Sequence, residues 1–252
     1  MSAASQQTTP SREHTGPRTI LITGAGVGLG RAMALHLAAP GTRLLLHYRS
    51  SGAAVASLAE RVRDMGAEAV TLQADLSRLA EREQLMARVH EQTTALHLLV
   101  NNVGVYLEKG LLETSPEDWQ YVMEASCNAA HHLIHAALEL LRRGAPSQVI
   151  NIGDSGSDRI TARTTATPYH IAKMGLHVIT RSYARLLGDQ NIRVNQVSPG
   201  FMENSVGEPG SPLPMGRPGA YADILGAIDY LLSPAAAYVT GANLVISGGW
   251  NL

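Results

Sequence analysis

Aromatic side chains are scarce in this chain, 4% of 252 residues with a single phenylalanine. Its core therefore has to be built from Ala, Leu, Val and Ile. Cysteine is scarcer still. Cys127 stands alone, which excludes an internal disulfide framework and fits a reducing, cytoplasmic setting. An excess of one charge is also missing, since 20 Lys and Arg face 21 Asp and Glu for a net charge of −1. That leaves no electrostatic ground for a nucleic-acid partner or an acidic membrane surface. No apolar run reaches the length of a membrane span. The first 17 residues, MSAASQQTTPSREHTGP, carry no apolar segment of the kind a secretion signal needs. They are expected to be a disordered tail ahead of one domain, residues 18–252.

What is present is a repeated alternation of strand-like and helix-like stretches. Hydrophobic content of 45% and charged content of 16% suit one large globular domain of this length. Strands are expected at Ile20–Ile22, Arg43–His47, Ala67–Gln73, Leu96–Val100, Gln148–Ile152, Ile192–Val197 and Asn243–Ile246. Helical spacing covers Ala53–Met65, Leu79–Gln92, Thr167–Gly188 and Ala220–Leu232. Ser115-Pro116-Glu117-Asp118 opens a further helical region that runs, with a bend, to Arg143. Strands separated by helices predict an α/β fold, a single Rossmann-type doubly wound parallel sheet of about seven strands flanked by helices. Pro199–Pro218 has neither periodicity. It is long enough to act as a lid, and it starts at the carboxyl edge of the sheet, where such folds bind ligands.

The first strand leads into TGAGVGLG (Thr23–Gly30) and then a helix. A strand, a glycine-rich turn and a helix N-terminus make a phosphate site, because free backbone N–H groups and the helix dipole both favour an anion. Gly24, Gly28 and Gly30 stand as T-G-x-x-x-G-x-G, a variant of the usual dinucleotide spacing. Tyr169 and Lys173, four residues apart on a helix, share one face. A cation there should lower the phenol's pKa and make Tyr169 a proton donor near neutral pH.

At these positions the chain resembles the short-chain dehydrogenase/reductase family, from Thr19 to Leu252. Six segments carry the resemblance: TGAGVGLG, ADL (Ala74–Leu76), NNVG (Asn101–Gly104), YHIAK (Tyr169–Lys173), IRVNQVSPG (Ile192–Gly200) and YVTGANLVISGG (Tyr238–Gly249). It implies a nicotinamide cofactor and hydride transfer to or from a small substrate, in a homotetramer. Thr23, Gly24, Gly28, Leu29 and Gly30 would surround the pyrophosphate. Asp75 and Leu76 would border the adenine, and Asn101, Asn102 and Gly104 the sheet edge. Pro199 and Gly200 would flank the nicotinamide. Tyr169 would be the acid, while Lys173 tunes it and binds the nicotinamide ribose. Glu203 and Asn204, in the lid, are candidate substrate contacts.

The second strand ends in His47-Tyr48-Arg49-Ser50-Ser51 instead of an acid. Arg49 offers a charged fork and Ser50 a further donor for a ribose 2′-phosphate, with His47 beside them, so NADP(H) is the expected cofactor. Two positions depart from the family. Asp154 stands where the family has a serine, 15 residues before Tyr169 on a somewhat longer loop, with Ser155 next to it. The helix asparagine, counted from Trp119, falls on Ser126, and Asn128 would point about 200° around the helix.

A carboxylate beside a ketone oxygen opposes the charge that hydride delivery creates, so Asp154 suits a nitrogen-bearing substrate that it orients or protonates. Asp at this position, HYRSS and QADLS are similar to the pteridine reductase branch. The expected activity is therefore NADPH-dependent reduction of a small C=N or C=O substrate, foremost a dihydropteridine or dihydrofolate type. The alternatives are a 3-oxoacyl-thioester or other carbonyl reductase using Ser155, and a non-catalytic NADP-binding sensor or assembly protein. Whether Asp154 or Ser155 faces the nicotinamide stays open. His131 and His135 have i, i+4 spacing but lack a third ligand pattern, and no metal is expected.

Overall fold

A computed structural model describes residues 18–205 and 207–250; the expected tail, residues 1–17, lies outside the described residues. Apolar side chains alternate along short strands, so each strand feeds two cores. In β1 (Arg18–Ile22), Ile20 and Ile22 enter one core while Leu21 enters the other. The further strands are β2 (Thr42–Tyr48), β3 (Glu68–Gln73), β4 (Leu98–Asn101), β5 (Ser147–Ile152), β6 (Ile192–Pro199) and β7 (Asn243–Ile246). They join one parallel sheet in the order β3-β2-β1-β4-β5-β6-β7. Helices α1 (Gly28–Leu37), α2 (Gly52–Asp64) and α8 (Tyr221–Leu232) cover one face. Helices α3 (Leu79–Gln92), α5 (Ala129–Ala136), α6 (Leu138–Arg143) and α7 (Thr167–Leu187) cover the other. This is the expected doubly wound sheet, and its strand order reverses between β1 and β4.

The long helical region after Ser115 is not continuous. It begins as α4 (Pro116–Met123), where the Ser115 hydroxyl accepts from the Asp118 N–H at 3.1 Å and Asp118 returns the bond. A wide π-turn follows over Glu124–Asn128 before α5. It buries Ser126 and Cys127, and Cys127 Sγ lies 2.9 Å from where a Cβ on Gly175 would stand. The turn therefore rests on a bare spot of α7. Asn128 points outward to Glu124, 2.9 Å away.

Two loop pairs close the carboxyl edge. The segment after β4 is stitched to the one before α7 by a bridge between Gly110 and Thr165 and by N–H donation from Leu111 to Thr164 and from Ala166 to Lys109. In the expected lid, Glu203 and Phe201 bond Gly219 on its far side. Trp250 folds onto Phe201, ring centroids 5.8 Å apart.

Candidate active site

The glycine turn sits between β1 and β4, where the sheet order reverses and a crevice opens. Gly24 and Gly28 both adopt left-handed backbone, φ +64° and +57°. A Cβ on Gly30 would run into the Gly24 carbonyl oxygen and stand 2.8 Å from the Asn102 amide. That amide donates to the Thr23 carbonyl at 2.9 Å, while Thr23 Oγ1 accepts from the Asn102 N–H at 2.9 Å. His47 completes the support. Its Nδ1 accepts from the Gly24 N–H at 3.1 Å, which leaves Nε2 to donate to the Ala74 carbonyl at 3.0 Å. Burial lowers its pKa to about 4, so the ring is neutral. Thr23 and His47 thus act as struts of the turn, and Leu29 packs partly against the core.

The crevice beside this turn measures about 360 Å³ and is lined by Gly24, His47, Arg49, Asp75, Leu76, Gly104, Tyr106 and Tyr121, among others. Arg49 is exposed, hydrogen-bonds the Tyr121 hydroxyl and lies 5.8 Å over its ring. Ser50 is exposed beside it. Asp75 is partly covered, yet hydrogen bonds from Ser77 and the charges of Arg49 and Arg78 hold it below the usual carboxylate range.

Tyr169 and Lys173 lie on α7 as their spacing requires, Lys173 Nζ 5.7 Å from the Tyr169 ring centre. Lys173 is buried and donates to the Ile152 carbonyl at 2.6 Å. Gly104 makes room for it, since a Cβ there would be 2.8 Å from Nζ. The expected lowering of the phenol does not appear. Burial, then the charge of Asp154, push the Tyr169 pKa upward. Burial also draws Lys173 down to about 8. Asp154 accepts from the Gly156 N–H at 2.9 Å. Ser155 is 2% exposed, and its N–H donates to the Pro199 carbonyl at 3.0 Å. Asp154 thus acts on Tyr169 through its charge, with Ser155 buried next to it in the chain. Ser126 Oγ instead accepts the Val105 N–H at 2.9 Å and anchors the loop after β4.

Glu203 and Asn204 are exposed, and the charge of Glu203 acts on Tyr221, whose hydroxyl is 3.5 Å from a Cβ position on Gly28. Gly200 is held at β7, its N–H donating to Ile246 at 3.0 Å. His131 bonds the Tyr183 hydroxyl at 3.0 Å and lies 6.2 Å from the His135 ring. Among the described residues no three His, Cys, Asp or Glu gather as a metal set. Three neighbours of the site have no sequence signal: Tyr106, edge-on to Tyr169 at 5.1 Å; His170, at 5.4 Å; and Arg163. Tyr106 and Arg163 come near Asp154 through the pairing of the loops after β4 and before α7, and His170 through its place beside Tyr169 on α7.

A glycine phosphate turn at the switch point and a Tyr/Lys pair over it define a dinucleotide-dependent oxidoreductase. A family model described as Enoyl-(Acyl carrier protein) reductase matches residues 24–251, and the chain belongs to the short-chain dehydrogenase/reductase family. It is 31% identical to a 3-oxoacyl-[acyl-carrier-protein] reductase of Synechocystis sp., over 91% of this chain and 95% of that protein. An angucycline C-6 ketoreductase crystallised with NADP is 29% identical at a TM-score of 0.83, covering 92% and 95% of the two chains. A blue fluorescent protein from a metagenomic library, in complex with NADPH, is 28% identical at a TM-score of 0.86, covering 95% and 100%. The chain is an NADP-dependent oxidoreductase of this family. The left-handed turn at Gly24 and Gly28, with Gly24 and the exposed Arg49 lining one crevice, fits that cofactor. No helix among the described residues is long and apolar enough to cross a membrane.

Proposed function

We propose that this oxidoreductase reduces a small nitrogen-bearing C=N or C=O substrate, a dihydropteridine type fitting best. The observation that carries this reading is Asp154 close enough to Tyr169 for its charge to act on the phenol. NADPH, when bound, supplies the hydride. Gly24, Gly28 and Gly30 would hold its pyrophosphate, Arg49 and Ser50 its 2′-phosphate, and Asp75 and Leu76 its adenine. Asn102 fixes the turn, Gly104 makes room for Lys173, and Pro199 and Gly200 would flank the nicotinamide. Tyr169 delivers the proton to the reduced group. Lys173, held by the Ile152 carbonyl, stabilises the phenolate left behind and would bind the nicotinamide ribose. Asp154 accepts an N–H of the substrate, a partner that a plain ketone oxygen lacks.

A second reading, 3-oxoacyl-thioester or other carbonyl reduction, is supported by the names of the similar proteins. NADPH oxidation with dihydropterins, dihydrofolate and 3-oxoacyl thioesters separates the two. Turnover of thioesters alone, unchanged in Asp154→Ala, would overturn the first. Tyr169→Phe should remove most turnover, about a hundredfold or more, while NADPH still binds. Equal turnover in that variant would instead mark a cofactor-binding module without catalysis. The reading includes a cytoplasmic location, supported by the lone buried cysteine and checked by cell fractionation. It also includes a homotetramer, supported by exposed Trp119, Val178 and Leu186 on α4 and α7.

A further inference from the structure

The segment between β5 and α7 places a second cation near Asp154, short of a direct ion pair. A Cβ on Gly156 would stand 2.7 Å from a terminal nitrogen of Arg163 and 3.2 Å from Asp154 Oδ1. Guanidinium and carboxylate thus flank the same stretch of bare backbone. The backbone at Arg163 is fixed from both sides. Its carbonyl accepts from Thr167 Oγ1 at 2.6 Å, and the next carbonyl, of Thr164, accepts from the Leu111 N–H at 2.8 Å. The charge reaches inward. It opposes the rise at Tyr106 and adds to the burial-driven lowering at His170, both of which also feel Asp154. Arg159, in the same segment, is exposed and lies 4.0 Å from Asp158.

When Tyr169 gives up its proton, a phenolate is left beside a carboxylate. Two like charges in a half-buried site are costly unless each has a cation. A family serine at this position would leave one anion for Lys173 to balance; Asp154 makes two. We infer that Arg163 is a positioning residue for the reduction, offsetting the Asp154 charge as the proton leaves Tyr169. Hydride comes from NADPH and the proton from Tyr169, and Arg163 exchanges neither.

The inference rests on the proposed reduction, and a double-mutant cycle tests it with the NADPH-loaded enzyme and whichever substrate turns over. Arg163→Gln should lower kcat about tenfold with little change in KM for NADPH, and Arg163→Lys should recover most of it. In an Asp154→Asn background the same Arg163→Gln change should cost less than about twofold. Arg159→Gln should change nothing. Equal losses in both backgrounds, a loss confined to KM, or no loss at all overturns the role of Arg163 and leaves the reductase reading standing. Absence of NADPH oxidation by the wild-type enzyme with every substrate named above overturns both. Should Arg163→Gln fail to fold, Arg163→Met decides: its kcat must fall less in the Asp154→Asn background than in the wild type.

Discussion

At His47 one neutral ring joins the Gly24 N–H after β1 to the Ala74 carbonyl after β3. Its pKa is lowered from 6.5 to about 4, so between those values the unfolded chain takes up a proton that the folded one refuses. Stability is therefore free of this penalty above pH 6.5 and declines as pH falls towards 4, by about 3 kcal/mol in all. Urea unfolding of His47→Gln should show a flatter pH dependence between those limits, even though the variant starts less stable at pH 7. Identical slopes would place the acid sensitivity elsewhere. The sequence pointed to His47 as a ligand contact because strand ends in such folds face the cofactor. It could not show that both ring nitrogens are taken within the chain. Tyr169 and Lys173 were legible because helical spacing alone puts them on one face. Asp154 was legible as a departure, but Arg163 and Tyr106 reach it through a loop-to-loop bridge that no local pattern announces.

At the end of β2, Arg49 is the exposed guanidinium beside the crevice, and it was readable because the alternating strand stops just before it. Arg49→Ala should weaken NADPH binding about tenfold or more and leave NADH binding nearly unchanged, by fluorescence titration. Equal weakening of both would remove Arg49 from the 2′-phosphate. Most strand and helix bounds follow directly from apolar period and from the Ser115 capping box. The break after α4 does not. Helical spacing persists through Glu124–Asn128, and the wide turn sets Cys127 over Gly175, a residue far along the chain. A bend could be expected there, but its kind depends on a partner helix. The rise of the Tyr169 pKa escaped for the same reason, since burial and the nearby Asp154 charge belong to the assembled site.

Across the whole molecule the alternation of strands and helices was enough to foresee a parallel sheet with a ligand edge. Strand order was not readable from composition or period, because register between β1 and β4 comes from pairs such as Leu21 with Leu99, far apart in the chain. Covering the exposed side chains of α4 and α7 is a whole-molecule matter too. Sedimentation equilibrium should give four times the chain mass, and Val178→Asp should yield a smaller species; a monomeric wild type would end the tetramer proposal. The same β1–β4 pairing bears on how the protein is made. The phosphate turn leaves the ribosome early, but its crevice needs Val103 and Gly104 from beyond β4 as a second wall. A growing chain that has not yet released those residues has the turn and no place to dock a dinucleotide. Coenzyme can therefore steady this protein only after both halves of the sheet have met, and it can give no help to an N-terminal fragment that stops short of β4.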